Sequence, residues 1–161
     1  MRRLALLATA ALAAGATTTS PASAEPAVIA SAPADGVLRQ QSAHGFDETV
    51  RRLRADIAGK GIPVFAEIDQ ARLGAGANLT IRRSTLLLFG NPPLGVQFLQ
   101  SNPLAGLDWP VRMLVVEDQA GQVWVAWTDF GFIARRYGIT DRDAQFAMAR
   151  DVAASIAGSA R

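Results

Sequence analysis

The order of elements along the chain predicts an α+β fold, in which an antiparallel sheet carries two long helices packed on one face. The strand-like segments occur in runs, whereas a doubly wound parallel sheet would alternate strands with helices. Residues 111–117 and 122–128 are both β-rich and are separated by the turn-forming run DQAG, so they predict a hairpin. The predicted order is β-α-β(4)-α, with a short helix inserted after the third strand.

The N-terminal part of this domain supplies an edge strand and the first long helix. Residues 37–42 have little apolar surface to bury, which favours a short strand at an edge or in a half-exposed position. From Phe46 to Ile57, apolar residues recur at helical spacing, and charged residues occupy the other side. Gly59 follows at the position where glycine commonly ends a helix. We therefore expect an amphipathic helix that ends near Gly59.

The remaining elements follow from periodicity and from turn residues. Residues 62–68 alternate as in a half-buried strand, and a loop or short helix is expected over 69–78. Residues 85–89 are continuously apolar, as expected of a central strand. The short inserted helix covers 94–100, and after the hairpin the last long helix is capped at Thr140 and presents its apolar stripe as far as Ile156.

The N-terminus has the pattern of a secretory leader. Residues 1–24 begin with Arg2 and Arg3, continue through about 13 apolar residues and end on Ala-Ser-Ala. A spanning helix needs roughly 20 residues, so cleavage is favoured over an uncleaved anchor, which remains the alternative. We expect an exported, periplasmic protein with no membrane contact after leader cleavage. Residues 25–36 form a flexible lead-in, and residues 37–158 form a single α+β domain.

The composition argues against several classes of function. Cleavage of the leader leaves 14 basic residues opposite 14 acidic ones, so no surplus of positive charge favours nucleic acid as a partner. There is no Cys, and His44 is the only His, so zinc sites of the usual type and His-assisted triads lack their residues. The run Gly74–Asn78 lacks the third glycine of a dinucleotide loop. We expect no metal and no cofactor.

The run LFGNPPLG joins a strand to a helix and has two interpretations. In the structural one, Asn91 caps the helix and Pro92 takes its first position. In the functional one, Asn91 recognises a neutral polar ligand at the helix N-terminus. Phosphate is disfavoured because Pro92 and Pro93 each lack a donor.

The two ends of the predicted hairpin place polar and aromatic residues close together. Asp108 and Arg112 lie where its first strand begins, and Trp127 and Asp129 lie where its second strand ends. They form either a structural ion pair beside a core aromatic residue or a ligand pocket with an aromatic wall. The candidate binding site is therefore Asn91, Asp108, Arg112, Trp127 and Asp129. No residue is assigned a catalytic role.

Several segments in order, from about Gly36 to Ile139, resemble a bacterial and archaeal family, the domain of unknown function number three hundred and two. They are FDETVRRLRADIAGKGIPVFAEID, STLLLFGNP, GLDWPVRMLVVEDQAGQVWVAWTDF and ARRYGI. The resemblance implies a β-α-β(4)-α fold of the TATA-binding-protein-like class, sometimes found as dimers, and no established activity. The family's Phe-Gly-Asn-Pro corresponds to 89–92, its Asp-x-Pro to 108–110, and its next basic residue to Arg112. Gln70 and Tyr137 stand where many members carry His.

Three functions remain open. The leading hypothesis is a non-catalytic module that binds a small molecule or a protein partner at the candidate site. The second is a hydrolase or isomerase that uses Asp108 or Asp129 as general base, with Arg112 stabilising negative charge. The third is a homodimer formed through an exposed sheet face or edge, aided by Trp124.

Overall fold

The computed structural model describes residues 35–161. The predicted leader, residues 1–24, and all of the predicted lead-in except residues 35 and 36 lie outside the described residues. In chain order the elements are β1 (Val37–Gln41), α1 (Phe46–Gly59), β2 (Val64–Asp69), α2 (Gln70–Gly76), β3 (Ser84–Phe89), α3 (Pro92–Ser101), a 3-10 turn (Pro103–Leu107), β4 (Val111–Glu117), β5 (Val123–Thr128), α4 (Phe130–Tyr137) and α5 (Asp143–Gly158). None of the helices in this part of the chain has the length and hydropathy of a membrane-spanning segment.

The five strands form one antiparallel sheet in the order β1-β5-β4-β3-β2. The predicted α+β class, the antiparallel sheet and the β4–β5 hairpin are confirmed. Gly121 closes the hairpin turn with a φ of 75°, a conformation that favours glycine. β1 lies at one edge of the sheet, as its weakly apolar sequence indicated, and β2 lies at the other edge.

The predicted order of elements is only partly right. The described residues contain five α-helices, whereas the prediction placed one short helix between its two long ones. α2 follows β2 within residues 69–78, where a loop or short helix is expected, and it buries no residue, so no apolar stripe marks it. α4 was missed because it is only 8 residues long and follows β5 directly. Its ends are nevertheless marked in the sequence by the N-cap Asp129 and by Gly138.

One face of the sheet carries the core. Leu87, Met113 and Trp127 lie side by side on β3, β4 and β5 and are buried. They pack in one cluster with Leu53 and Ile57 of α1 and with buried residues of α5, so the two long helices cover this face. Most of the residues that alternate with them point to the opposite face and are half-buried or exposed, among them Leu86, Leu114, Trp124 and Ala126.

Candidate functional site

Asp108 is the centre of a polar cluster just before β4. Its carboxylate is buried, with 3% of the side chain exposed, and it accepts hydrogen bonds from three side chains. Nη2 of Arg112 donates to Oδ1, Nη1 of Arg136 donates to Oδ2 at 3.2 Å, and the hydroxyl of Tyr137 donates to Oδ2 at 2.6 Å. Arg112 comes from β4, whereas Arg136 and Tyr137 come from the last turn of α4, so the carboxylate joins these two elements. We call these four residues the Asp108 cluster.

The Asp108 cluster has an excess of positive charge. One carboxylate faces two guanidinium groups, and 45% of the Arg112 side chain and 49% of the Arg136 side chain are exposed. Each guanidinium has five N–H donors, so each retains donors that Asp108 does not use. The hydrogen bond to the Asp108 carboxylate raises the pKa of the Tyr137 hydroxyl above its ordinary value. The exposed side of the cluster is therefore suited to an anionic group.

Asp129 caps α4. Its Oδ2 accepts the backbone N–H of Phe132 at 2.9 Å, and Nη2 of Arg135 lies 3.9 Å from the same oxygen. The residue is buried. Asp129 thus fixes the start of the helix whose last turn carries Arg136 and Tyr137, and it acts on the Asp108 cluster by positioning that helix.

Trp127 does not form a wall of the Asp108 cluster. It pairs in register with Met113 and belongs to the hydrophobic core. Arg112 precedes Met113 on β4, so its side chain points to the opposite face of the sheet. The aromatic residue is on the side covered by α1 and α5, and this separates it from the polar residues with which we expected it to converge.

Asn91 lies at the N-cap position of α3, but its side chain makes no capping hydrogen bond. Its backbone oxygen instead accepts the N–H groups of Leu94 and Gly95, at 3.1 and 2.9 Å. The expected capping role of the side chain is therefore wrong. Asn91 is exposed and borders a cavity of about 40 Å³ whose other lining is mostly apolar and includes Trp109.

The indole of Trp109 fills the space next to this cavity. It lies so close to Gly95 that a Cβ there would collide with it, and a Cβ on Gly90 would approach Trp109 Nε1 to 3.1 Å. Gly90 and Gly95 lie on either side of Asn91 in the sequence, and both leave the space that the indole occupies. What remains of the cavity has room for about one water molecule.

Three of the predicted site residues border two different cavities: Asn91 borders the one beside Trp109, and Asp108 and Arg112 border another. The space bordered by Asp108, Arg112 and Phe130 has a volume of about 10 Å³, too small for a metabolite. Of the five predicted residues, only Asp108 and Arg112 contact each other through their side chains. Among residues 35–161, no group of three or more His, Asp or Glu is placed to hold a metal ion.

Comparison with known protein families identifies the family to which this chain belongs. The model of the family described as "Domain of unknown function DUF302" matches residues 38–158. The chain belongs to the DUF302 family. A crystal structure of an uncharacterized conserved DUF302 protein from Bacillus stearothermophilus is 16% identical, with a TM-score of 0.71, and the match covers 78% of this chain and 98% of that one. That likeness supports the fold alone.

Curated relatives of this DUF302 domain are longer proteins. A match of 104 residues at 33% identity, 65% of this chain, occurs in proteins named "Fluoride-specific ion channel FluC 1" from Brucella suis and Brucella abortus. It covers 41% and 38% of those proteins. The chain thus spans about two fifths of the length of the curated relatives that it matches.

Sequence reasoning missed two members of the Asp108 cluster. Arg136 follows Arg135 in a basic pair that is typical of a solvated face, and Tyr137 is marked in the sequence only as a replacement for His. Both belong to α4, the helix that was not predicted, so nothing placed them near Asp108. The signal that would have found them is the capping of this helix by Asp129 and Gly138, because it fixes which residues of the DUF302 domain occupy its last turn.

Proposed function

We propose that this DUF302 domain is a non-catalytic binding module that engages an anionic group, such as a carboxylate or a phosphate, through Arg112 and Arg136. A single observation carries this proposal. The buried carboxylate of Asp108 holds two half-exposed guanidinium groups, and the cluster keeps an excess of positive charge. Arginines held in this way lose less side-chain freedom when they bind, which favours affinity. We further propose, from residues 1–24, that the domain is exported.

The hydrogen bonds that Asp108 and Asp129 accept favour a binding role of the domain over a catalytic one. A general base needs a carboxylate oxygen within reach of the proton that it removes. Both oxygens of Asp108 accept hydrogen bonds from neighbouring side chains, and Asp129 caps α4. Both carboxylates have structural partners, so the hydrolase or isomerase alternative has less support.

The experiment is a heteronuclear NMR titration with sodium phosphate and sodium citrate, at constant ionic strength set with sodium chloride. We expect saturable shifts of the backbone amides near Asp108, Arg112 and Arg136. Arg136→Gln should weaken binding by about tenfold, as for loss of a charged hydrogen bond. The matched control is Arg150→Gln, because the Arg150 side chain has the same 49% exposure on α5. Equal affinities of wild type and Arg136→Gln, or no saturable shift with either anion, contradict the proposal.

A second candidate function rests on the Brucella relatives. A segment similar to this domain makes up part of longer proteins that are named fluoride-specific ion channels. We propose, as the alternative, that this domain acts together with an ion channel in its host. The test is growth of a strain lacking the gene at increasing concentrations of sodium fluoride. Heightened sensitivity to fluoride but not to chloride supports this candidate, and equal growth of both strains at every concentration contradicts it.

A further inference from the structure

A separate cleft lies between the start of α1 and the paired strands β2 and β3. Its volume is about 230 Å³, and its lining includes Phe46, Asp47, Glu67, Asp69, Arg83 and Thr85. Asp69 pairs in register with Thr85, and Glu67 pairs with the buried Leu87, so these residues lie on the helix-covered face of the sheet. α1 leaves part of this face open along the edge strand β2, where no residue is fully buried.

The cleft is at a distance from the Asp108 cluster. On β3 and β4, Leu88 pairs with Arg112 near one end, whereas Thr85 pairs with Val115 near the other. Arg112 and Val115 also point to opposite faces, because they are three residues apart on one strand. The cleft lining therefore includes no residue of the Asp108 cluster.

The lining of the cleft has an excess of negative charge. It contains three carboxylates and one guanidinium group. Arg54 lies 3.1 Å from Glu67 and neutralises part of this charge. Asp69 uses Oδ1 to accept the backbone N–H of Arg72 at 2.9 Å, and its other oxygen has no hydrogen-bond partner among residues 35–161. This oxygen is free to accept a donor from a ligand.

Thr85 provides an independent indication of a ligand. The residue is only 6% exposed, and it lines the cleft. Its hydroxyl makes no hydrogen bond with any other residue of the described part of the chain, although Ser84 beside it bonds to Gln70 at 2.6 Å. The oxygen of this hydroxyl is not among the fully buried, unpartnered atoms of residues 35–161, so it opens onto the cleft. The Thr85 hydroxyl is thus available to a group that enters the cleft.

The position of Arg83 indicates that the cleft accommodates a cation. Its guanidinium group lies over the ring of Phe46, 4.3 Å from the ring centroid, and forms an ion pair with Asp47. A cation between an aromatic face and a carboxylate is stabilised by both. The pair is exposed, with 49% of the Arg83 side chain and 82% of the Asp47 side chain accessible, and exposed pairs contribute little stability. Arg83 can therefore move aside when another cation enters.

We propose that this cleft binds a small organic cation, a primary amine or a guanidinium compound with a short apolar chain. The charged head lies beside Asp69 and donates a hydrogen bond to the free oxygen of that carboxylate and to the hydroxyl of Thr85. The apolar chain lies against Phe46. This site requires no contribution from Arg112 or Arg136.

Heteronuclear NMR titrations of the protein with butylammonium and butylguanidinium chloride test the site, with n-butanol and sodium butyrate as neutral and anionic counterparts at equal ionic strength. We expect both cations to shift the amides of Phe46, Asp69 and Thr85 saturably, and the counterparts to leave them unchanged. Asp69→Asn keeps an oxygen that caps α2 and removes the charge, so it should weaken binding by about tenfold. Thr85→Val keeps the shape and removes the hydroxyl, and it should weaken binding about fivefold.

Asp151→Asn is the control, because Asp151 is an exposed carboxylate of α5 outside the cleft lining. This variant should bind both cations as the wild type does. The proposal is overturned if neither cation shifts the cleft amides, if n-butanol shifts them equally, or if both Asp69→Asn and Thr85→Val bind with wild-type affinity. Arg136→Gln separates the two sites, since it should lose anion binding and keep cation binding.

Discussion

The hydroxyl of Tyr137 lies 2.6 Å from Oδ2 of Asp108 and donates a hydrogen bond to it, joining the end of α4 to the segment before β4. This bond raises the pKa of Tyr137 above its ordinary value of 10.0. The contribution of a group with a raised pKa is fully present below its unfolded pKa and is lost as the pH rises through the folded pKa. The folded protein should therefore lose stability in strongly alkaline solution as Tyr137 ionises.

The chain has only one Tyr, so its ionisation can be followed by the near-ultraviolet absorbance of the phenolate. We expect a higher midpoint in the folded protein than in concentrated urea, where the hydrogen bond to Asp108 is broken. Equal midpoints in the two conditions would show that the bond does not persist in solution.

Glu48 allows a corresponding test at acidic pH, because its pKa is lowered. Its carboxylate accepts hydrogen bonds from Arg51 and Arg52, and the bond from Arg51 is the main cause that lowers the pKa of Glu48 to about 2. The contribution of such a group is present above its ordinary pKa of 4.5 and is lost as the pH falls toward 2. A carboxyl-carbon NMR titration should show this low midpoint, and Arg51→Gln should raise it. A midpoint that does not respond to Arg51→Gln contradicts the assignment.

Gly95 supplies a test of packing around Trp109. Gly95→Ala places a Cβ against the indole and should lower the free energy of unfolding by about 1–3 kcal/mol, as overpacking does. Gly59→Ala in α1 is the matched control, because a Cβ there has no neighbour within 4 Å. Urea denaturation measures both variants. Loss of stability in the control, or none in Gly95→Ala, is the result that would reject this account of the glycine.

Substitutions of Trp127 should change the stability of the protein without changing its affinity for anions. Because it belongs to the core, Trp127→Ala should cost about 3–5 kcal/mol of unfolding free energy, and Trp127→Phe should cost less and preserve the fold. Anion binding by Trp127→Phe, measured by the same NMR titration, should match the wild type. Weakened anion binding at unchanged stability would instead show that Trp127 contributes to the binding site, as the sequence predicted.

The homodimer expected from the sequence stays a prediction. Leu114 and Trp124 lie on the sheet face opposite the core and are half-buried. If that face joins two copies, Leu114→Glu should give a monomer, because a charge at the centre of an apolar contact is costly to bury. Light scattering at high protein concentration measures both proteins. A strictly monomeric wild type removes this alternative.

Strong periodicities made most of the fold predictable. The spacing from Phe46 to Ile57 defines α1, and the alternation on both sides of the DQAG turn defines the hairpin. α4 escaped prediction because it is short, and α2, which buries no residue, was expected only as a loop or short helix. Length and burial, which make helices stable, also make their patterns visible in the sequence.

The site was harder to predict than the fold. Alternation along β5 is enough to place Trp124 and Trp127 on opposite faces of the strand. It did not indicate which face the helices cover, since that depends on contacts between distant segments. Arg112 could be placed near Asp108 because both lie at the entry to the same strand. Arg136 could not, because the helix that carries it had not been recognised.

The position of β1 has a consequence for how the chain reaches its native state. Within residues 35–161, β1 is the first strand in chain order, yet it pairs in the sheet with β5, the last one. Until the C-terminal half has emerged, the first strand has nothing to pair with, and closing so long a loop slows folding. β1 should therefore remain unprotected from hydrogen exchange until β5 has formed, so its docking should be among the last steps of folding.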